Sequence, residues 1–326
     1  MIGAHHRQPA SRAWLVTILR WVAGLTILGA LLHFLPFSIL RASIARVPLC
    51  SFAAILFGYL LAHSVGVAKW RMVVNAAGAD LNFATSTQCY AGGLLGALFL
   101  PSILGGDVIR LAVGLRRSPR PAAVLAGNVV DRFLDAAAQA ALVVAGLILL
   151  PHAVPLQFQD TARKGLMWLA GGAVLLTITA YLSRRALFGG RSMRFRKRLA
   201  RLRHALRSVS RRSYILALCW LVGICVQAAL LLLAAKIATY CGLALPLKVW
   251  LFAWPLAKLA ALLPLTQGGI GVREAALVAL LVPFGASAPL VLAAGLLWEG
   301  IIISGGLIAG VVALLVRRLG EPLRAT

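Results

Sequence analysis

Apolar residues run along this chain in long blocks rather than in the short alternations of a soluble fold. Six blocks, at roughly 14–34, 49–68, 122–150, 165–182, 214–236 and 289–316, reach the ~18 residues that a bilayer-crossing helix needs. Two further regions, roughly 85–115 and 248–283, are as apolar but are cut by Pro and Gly, so neither is one straight helix. The pattern predicts an all-α polytopic membrane protein: a single transmembrane domain over 1–326 with about six full spans plus two re-entrant helical hairpins. The first block follows His5, His6, Arg7 and Arg12 in the manner of a signal peptide. It is long, and no small-residue cleavage site follows it, so it is expected to remain as an anchor.

The two interrupted regions repeat one pattern. LPSILGGDVIRL places Pro101, Gly105, Gly106 and Arg110 at the same offsets as Pro264, Gly268, Gly269 and Arg273 in LPLTQGGIGVRE. Each hairpin is preceded by one block and followed by another bearing a carboxylate: Asp135 lies 34 residues after Pro101, and Glu299 lies 35 after Pro264. The repeat units are about 49–150 and 214–316. If each hairpin enters and leaves on one side, the units are inverted relative to each other, the organisation in which broken helices meet near the midplane of a transporter.

Composition and charge decide what kind of membrane protein this is. Of 326 residues, 61% are hydrophobic, and 33 Lys and Arg face 8 Asp and Glu, a formal net charge of +25. So apolar a chain excludes a soluble enzyme. Under the hairpin topology, 22 bases fall on the face holding both termini, 12 of them within 184–212, against five on the other (Arg41, Arg46, Arg163, Lys164 and Lys248). Lys69 and Arg71 are counted here with the first face. The excess therefore reads as positive-inside orientation in a cell inner membrane with cytoplasmic termini, and no nucleic-acid partner is expected. In the basic link 184–212, Phe195, Leu199, Leu202, Leu206 and Val209 recur at helical spacing. They predict an amphipathic helix on an anionic leaflet, or a plain solvated loop. Cys50, Cys89, Cys219, Cys225 and Cys241 have neither metal nor redox spacing.

The acids are scarce and badly placed for lipid. Asp107, Asp131, Asp135, Glu274 and Glu299 all fall at membrane depth, where an unpartnered charge costs roughly 2.5–3.5 kcal/mol. They are expected to share a polar interior with Arg110, Arg132, Arg273 and Lys258. Asn128, Asp131, Arg132, Asp135 and Gln139 form one face of their helix. Pro101, Gly105, Gly106, Pro264, Gly268 and Gly269 break the helices and leave N–H groups that suit an anion. Arg110 and Arg273, a turn further on, are expected to hold that anion, for instance a phosphate headgroup. The alternative is structural: Asp107 caps its helix, Arg273 pairs with Glu274 or another acid, and Asp131 and Asp135 only join helices. His63 is expected to be a hydrogen-bonded packing residue.

No metal site or cofactor is expected, because no His pair has ligand spacing and no nucleotide-binding or hydrolase motif occurs. Asn128-x2-Asp131-x3-Asp135 resembles half of an Asp-rich prenyltransferase motif, but the chain has too few acids for the second half.

Four segments, AKWRMVVNAAG (68–78), LPSILGGDVIRL (100–111), VVDRFLD (129–135) and GGIGVREAAL (268–277), occur in an order that resembles the lysylphosphatidylglycerol synthase-like transmembrane family. The resemblance covers nearly the whole chain; Asp131 stands where that family often carries Glu. In the synthases this domain flips an aminoacylated phospholipid and precedes a soluble aminoacyl-transferase domain. With ten residues after its last span, this sequence is expected to be a stand-alone member without that domain. The resemblance thus implies a flippase or transporter that moves a phosphate-bearing lipid or lipid-linked intermediate between leaflets, and no enzyme. Its expected partners are membrane lipids with an anionic or phosphate-linked headgroup, and lipid-biosynthesis enzymes. The rival reading is a membrane-embedded enzyme or accessory subunit of isoprenoid, hopanoid or glycolipid biosynthesis.

Overall fold

The computed structural model describes residues 37–100, 105–150, 193–261 and 271–320, together with Val22, Thr26, Gly29 and Thr266. Among them every regular element is a helix: α1 (Phe37–Ala45), α2 (Leu49–Ala76), α3 (Phe83–Phe99), α4 (Gly105–Arg117), α5 (Pro121–Leu149), α6 (Met193–Ser210), α7 (Ser213–Tyr240), α8 (Leu247–Ala260), α9 (Val272–Leu281) and α10 (Ala288–Gly320), with a 3-10 turn at Val282–Phe284.

Four of these, α2, α5, α7 and α10, are long and apolar enough to cross a membrane. At 1.5 Å per residue a 28-residue helix spans about 42 Å, more than a ~30 Å hydrocarbon core. They correspond to four of the six predicted spans. The block 165–182 and nearly all of 14–34 lie outside the described residues, as do Pro101, Pro264, Gly268 and Gly269. Exposed Phe57, Leu61, Phe133, Leu221, Leu307 and Leu314 give these helices the apolar outer surface of a membrane protein.

The interrupted regions are pairs of short helices. Between α3 and α4 the chain reverses, since Gly105 meets Leu100, Gly106 meets Gly93 and Ala97, and Gly114 meets Cys89. A Cβ on Gly106 would stand 2.5 Å from the Gly93 carbonyl oxygen, so only glycine lets the limbs approach this closely. In the second region α8 packs on α9. The units exchange contacts symmetrically: α5 lies against α8, α10 lies against α3, and α2 packs on α7.

Helix ends follow local chemistry. Pro121 opens α5 where its missing N–H costs nothing. Asn82 accepts from the Thr85 N–H at 2.8 Å and starts α3. The turn before it is tied by Asn75, whose amide donates to Leu81 O at 2.9 Å and accepts from Leu81 N–H at 2.8 Å. Arg71 donates to that same carbonyl at 2.9 Å, and Arg120 donates to Gly78 O at 3.1 Å. Two bases that read as orientation signals therefore cap a turn.

The basic link departs from expectation in one respect. Its described part is the helix α6 and the turn after it, and part of the apolar stripe is taken up by protein: Val209, the neighbouring Ala205 and Leu202 pack into a core with Trp70, Val74 and Val124. Ser208 also donates to Ala76 O at 3.1 Å. Among the described side chains of that stripe only Leu206 is exposed, while Arg201, Arg203 and Arg207 point outward.

Candidate functional site

Helix periodicity brings the charges together. On α5, Asn128, Asp131 and Asp135 follow steps of three and four, so they face α2 and α4 as one column. On α4, Asp107 and Arg110 are also three apart, which aims both side chains at that column. On α2 the helix continues eight residues beyond the predicted end of its apolar block, and its last turns carry Lys69 and Trp70 inward.

The result is a six-membered charge cluster. Lys69 Nζ lies 2.8 Å from Asp131 Oδ1 and donates to Asp135 Oδ1 as well. Arg132 Nη2 reaches Asp131 Oδ2 and Asp135 Oδ2, each at 2.8 Å, and its Nη1 lies 3.4 Å from Asp107 Oδ2. Arg110 Nη1 makes only longer approaches, 3.5 Å to Asp107 Oδ1 and 3.8 Å to Asp131 Oδ2. Three cations and three carboxylates balance. Asp131 has no exposed surface and Lys69 only 4%, so each depends on the other for stability there. Trp70 Nε1 donates to Asn128 Oδ1 at 3.0 Å beneath the cluster.

Lys69 is the member that sequence reading assigned elsewhere, to a cytoplasmic segment. Hydropathy falls at Lys69 and Arg71, but there the helix is packed in protein, with Lys69 4% exposed and Trp70 fully buried.

A second cluster forms in the other unit. Arg273 Nη2 donates to Glu274 Oε1 and Glu299 Oε2, both at 2.6 Å, and Nε donates to Glu274 Oε1 at 3.1 Å. Glu274 Oε2 accepts the Gly271 N–H at 2.8 Å and so closes the start of α9. Arg110 and Arg273 thus sit in different sets of ion pairs, and Arg273 is clamped by two carboxylates, as in the structural alternative in which it pairs with Glu274 or another acid. The sequence signal was already present in the adjacent Glu274.

Between the clusters runs a wall of rings. The Arg110 guanidinium lies 3.9 Å from the Tyr90 ring centroid and 5.9 Å from that of Trp70. The Tyr90 hydroxyl is 3.3 Å from His63 Nδ1, which makes His63 the hydrogen-bonded packing residue expected of it. His63 packs edgewise on Tyr59 at 4.4 Å, Tyr59 on Trp298 at 6.0 Å, and Trp298, next to Glu299, on Trp254 at 5.2 Å. Lys258 donates to the neutral Gln227 Oε1 at 2.7 Å. Among the described residues no group of three or more His, Cys, Asp or Glu is arranged to hold a metal ion.

Not every buried polar atom is satisfied. Arg110 Nε and Nη1, Arg132 Nε, Trp220 Nε1, Trp254 Nε1 and the Thr266 hydroxyl lack hydrogen-bond partners, as does Asp131 Oδ1, although the last faces the Lys69 ammonium. Apart from that carboxylate oxygen, all are donors. Among the described residues, then, the buried groups left without partners are mainly donors.

No curated protein matches the chain closely enough to serve as a relative. The family model of the lysylphosphatidylglycerol synthase TM region matches residues 18–310, a range that contains both clusters and both interrupted regions. A chain matched over that length, with its buried charges on the motifs that suggested the resemblance, belongs to this family of membrane proteins.

Proposed function

We propose that the protein translocates a phosphate-bearing lipid, or lipid-linked intermediate, between the leaflets of the cell membrane. In this reading α3–α4 and α8–α9 are re-entrant hairpins of two inverted repeats, and both termini are cytoplasmic. The observation that carries it is the pair of buried charge clusters, each joining a broken region to a long apolar helix. Charges at that depth are costly in a protein that only anchors itself. They suit one that must replace the hydration of a polar headgroup while the tails stay in lipid. The matched family has a membrane-lipid role, which supports the same reading. The contact exchange between α5 and α8 and between α10 and α3 is what a two-fold pair of units produces, and α2 runs antiparallel to α7, with Lys69 beside Cys219 and Gly58 beside Leu233, as inverted units would.

Leaflet-resolved transport of fluorescent phospholipids in proteoliposomes tests the proposal. The native chain is expected to move lipid well above the rate of protein-free vesicles, and Arg110→Ala is expected to reduce that rate at least tenfold, about 1.4 kcal/mol or more of barrier. Arg273→Ala is expected to slow transport too, because it leaves Glu274 and Glu299 without their shared cation. A native rate no faster than that of empty vesicles, across glycerophospholipids and isoprenoid phosphates, overturns it.

A further inference from the structure

The first cluster contains an arrangement that the balance of charges does not require. Asp107 lies between two guanidinium groups, 3.5 Å from Arg110 Nη1 and 3.4 Å from Arg132 Nη1. Both distances exceed the 2.7–2.9 Å of a charge-assisted hydrogen bond, while Asp131 and Asp135 hold Arg132 at 2.8 Å. Asp107 is thus the loosely bound carboxylate of the three. Arg110 Nε and Nη1 and Arg132 Nε remain buried donors without partners. Arg110 is 5% exposed, and its guanidinium rests on the Tyr90 ring, so it is held in place while its Nε and Nη1 stay without hydrogen-bond partners.

Resting on the reading that a phosphate-bearing lipid is transported, we propose that Arg110 and Arg132 together bind its phosphate group, and that Asp107 is a tethered carboxylate occupying their donors between transport events. A phosphate offers several acceptor oxygens and almost no donors, which matches what this part of the interior lacks. Its oxygens take the place of Asp107 Oδ1 and Oδ2 and engage the unpartnered Nε groups, and Asp107, 14% exposed, swings toward the open side of the cluster. Asp131 stays with Lys69 throughout. The clamp therefore lies within one repeat, on α4 and α5. Arg273 has no part in it, because two carboxylates against one guanidinium leave its surroundings negative.

The test is a gain of affinity, which damage to the fold does not produce. The full-length protein, purified in detergent, is titrated calorimetrically with dihexanoyl phosphatidic acid and, separately, with inorganic phosphate; dihexanoylglycerol serves as the phosphate-free control. Removing a competing like charge beside an anion site is worth about tenfold or more, so Asp107→Asn is expected to bind about tenfold tighter than the native chain. Asp107→Glu, which keeps the charge, is expected to show no gain, while Arg110→Gln and Arg132→Gln each bind at least tenfold more weakly. Should Asp107→Asn not fold, Asp107→Ser makes the same test. This order of affinities with either probe supports the clamp; the lipid arm assigns it to a headgroup and the phosphate arm to the free anion. A folded Asp107→Asn protein that binds no more tightly, or an Arg132→Gln protein that binds as the native chain does, overturns it. Binding in the expected order without lipid transport would remove the transport reading and leave the clamp, and transport without that order would do the reverse.

Discussion

Removing the ammonium of Lys69 leaves Asp131, which has no exposed surface, with Arg132 as its only cation within hydrogen-bonding distance. Breaking a buried pair by deleting one partner costs about 3–5 kcal/mol, so Lys69→Met is expected to lower the unfolding midpoint sharply in detergent. Asp135→Asn in the same chain restores the balance of charge. The double variant is expected to be more stable than the sum of the single effects by about 1–3 kcal/mol; strict additivity in the four-way thermal comparison would show that the two residues do not act as a unit. The contribution of Lys69 was hidden from the sequence for a physical reason. Hydropathy reports which residues prefer lipid, and Lys69 and Trp70 occupy helical turns surrounded by protein, where polarity signals pairing rather than exit. Asp131, Asp135 and Glu299 were legible because a carboxylate inside an apolar block has no cheap alternative to a partner. That Arg110 and Arg273 differ was legible only in part: both follow the same Gly-Gly pattern, and Glu274 beside Arg273 signalled a pairing, but only the geometry places Tyr90 beneath one and brings Glu299 to the other.

Glycines set how closely the elements approach, and they do so at matched places in the two units. On α5, a Cβ at Gly146 would stand 2.6 Å from the backbone nitrogen of Phe252 in α8. On α10, one at Gly306 would stand 2.9 Å from a Leu98 methyl and 3.2 Å from the Leu94 carbonyl in α3. The last helix of each unit thus uses a small residue to reach the first broken helix of the other, as membrane helices do in general. Backbone cannot yield as a side chain can, so Gly146→Ala is expected to cost about 1–3 kcal/mol, the range of overpacking. Gly300→Ala, whose added methyl group would meet the Phe52 ring at 3.7 Å, is expected to be nearly neutral. Equal thermal midpoints for the two variants would mean that the α5–α8 approach relaxes freely. At this scale the sequence specified most of the helices, since α2, α5, α7 and α10 coincide with uninterrupted apolar blocks and α3–α4 and α8–α9 with interrupted ones. It misled at α6. Its stripe has the period of a helix on a surface, and periodicity cannot say whether that surface is a leaflet or the ends of α2, α5 and α7.

Charge has two different distributions in the whole molecule. The chain carries +25, yet the interior bases Lys69, Arg110, Arg132, Lys258 and Arg273 are matched in number by Asp107, Asp131, Asp135, Glu274 and Glu299. The excess lies outside the clusters, and a balanced interior is what helices at membrane depth tolerate. Orientation and inversion then follow from one another. If the bases of α6 and of the turn tied by Arg71 and Arg120 are cytoplasmic, the proposed re-entrant α3–α4 opens to the cytoplasm, and the proposed inversion opens α8–α9 to the opposite side. Cysteine labelling separates this from the alternatives. In a chain with Cys50, Cys89, Cys219, Cys225 and Cys241 replaced by serine or alanine, Ser102→Cys is expected to react with an impermeant maleimide only from the cytoplasmic side, and Leu265→Cys only from the outer side. Labelling of both positions from one face would make the hairpins parallel and remove the inverted-repeat reading, while the contact exchange would stand, since a two-fold pair of parallel units gives it too. Protection of both from either face would place the breaks in a closed interior, and the re-entrant reading would fail while the charge clusters stood.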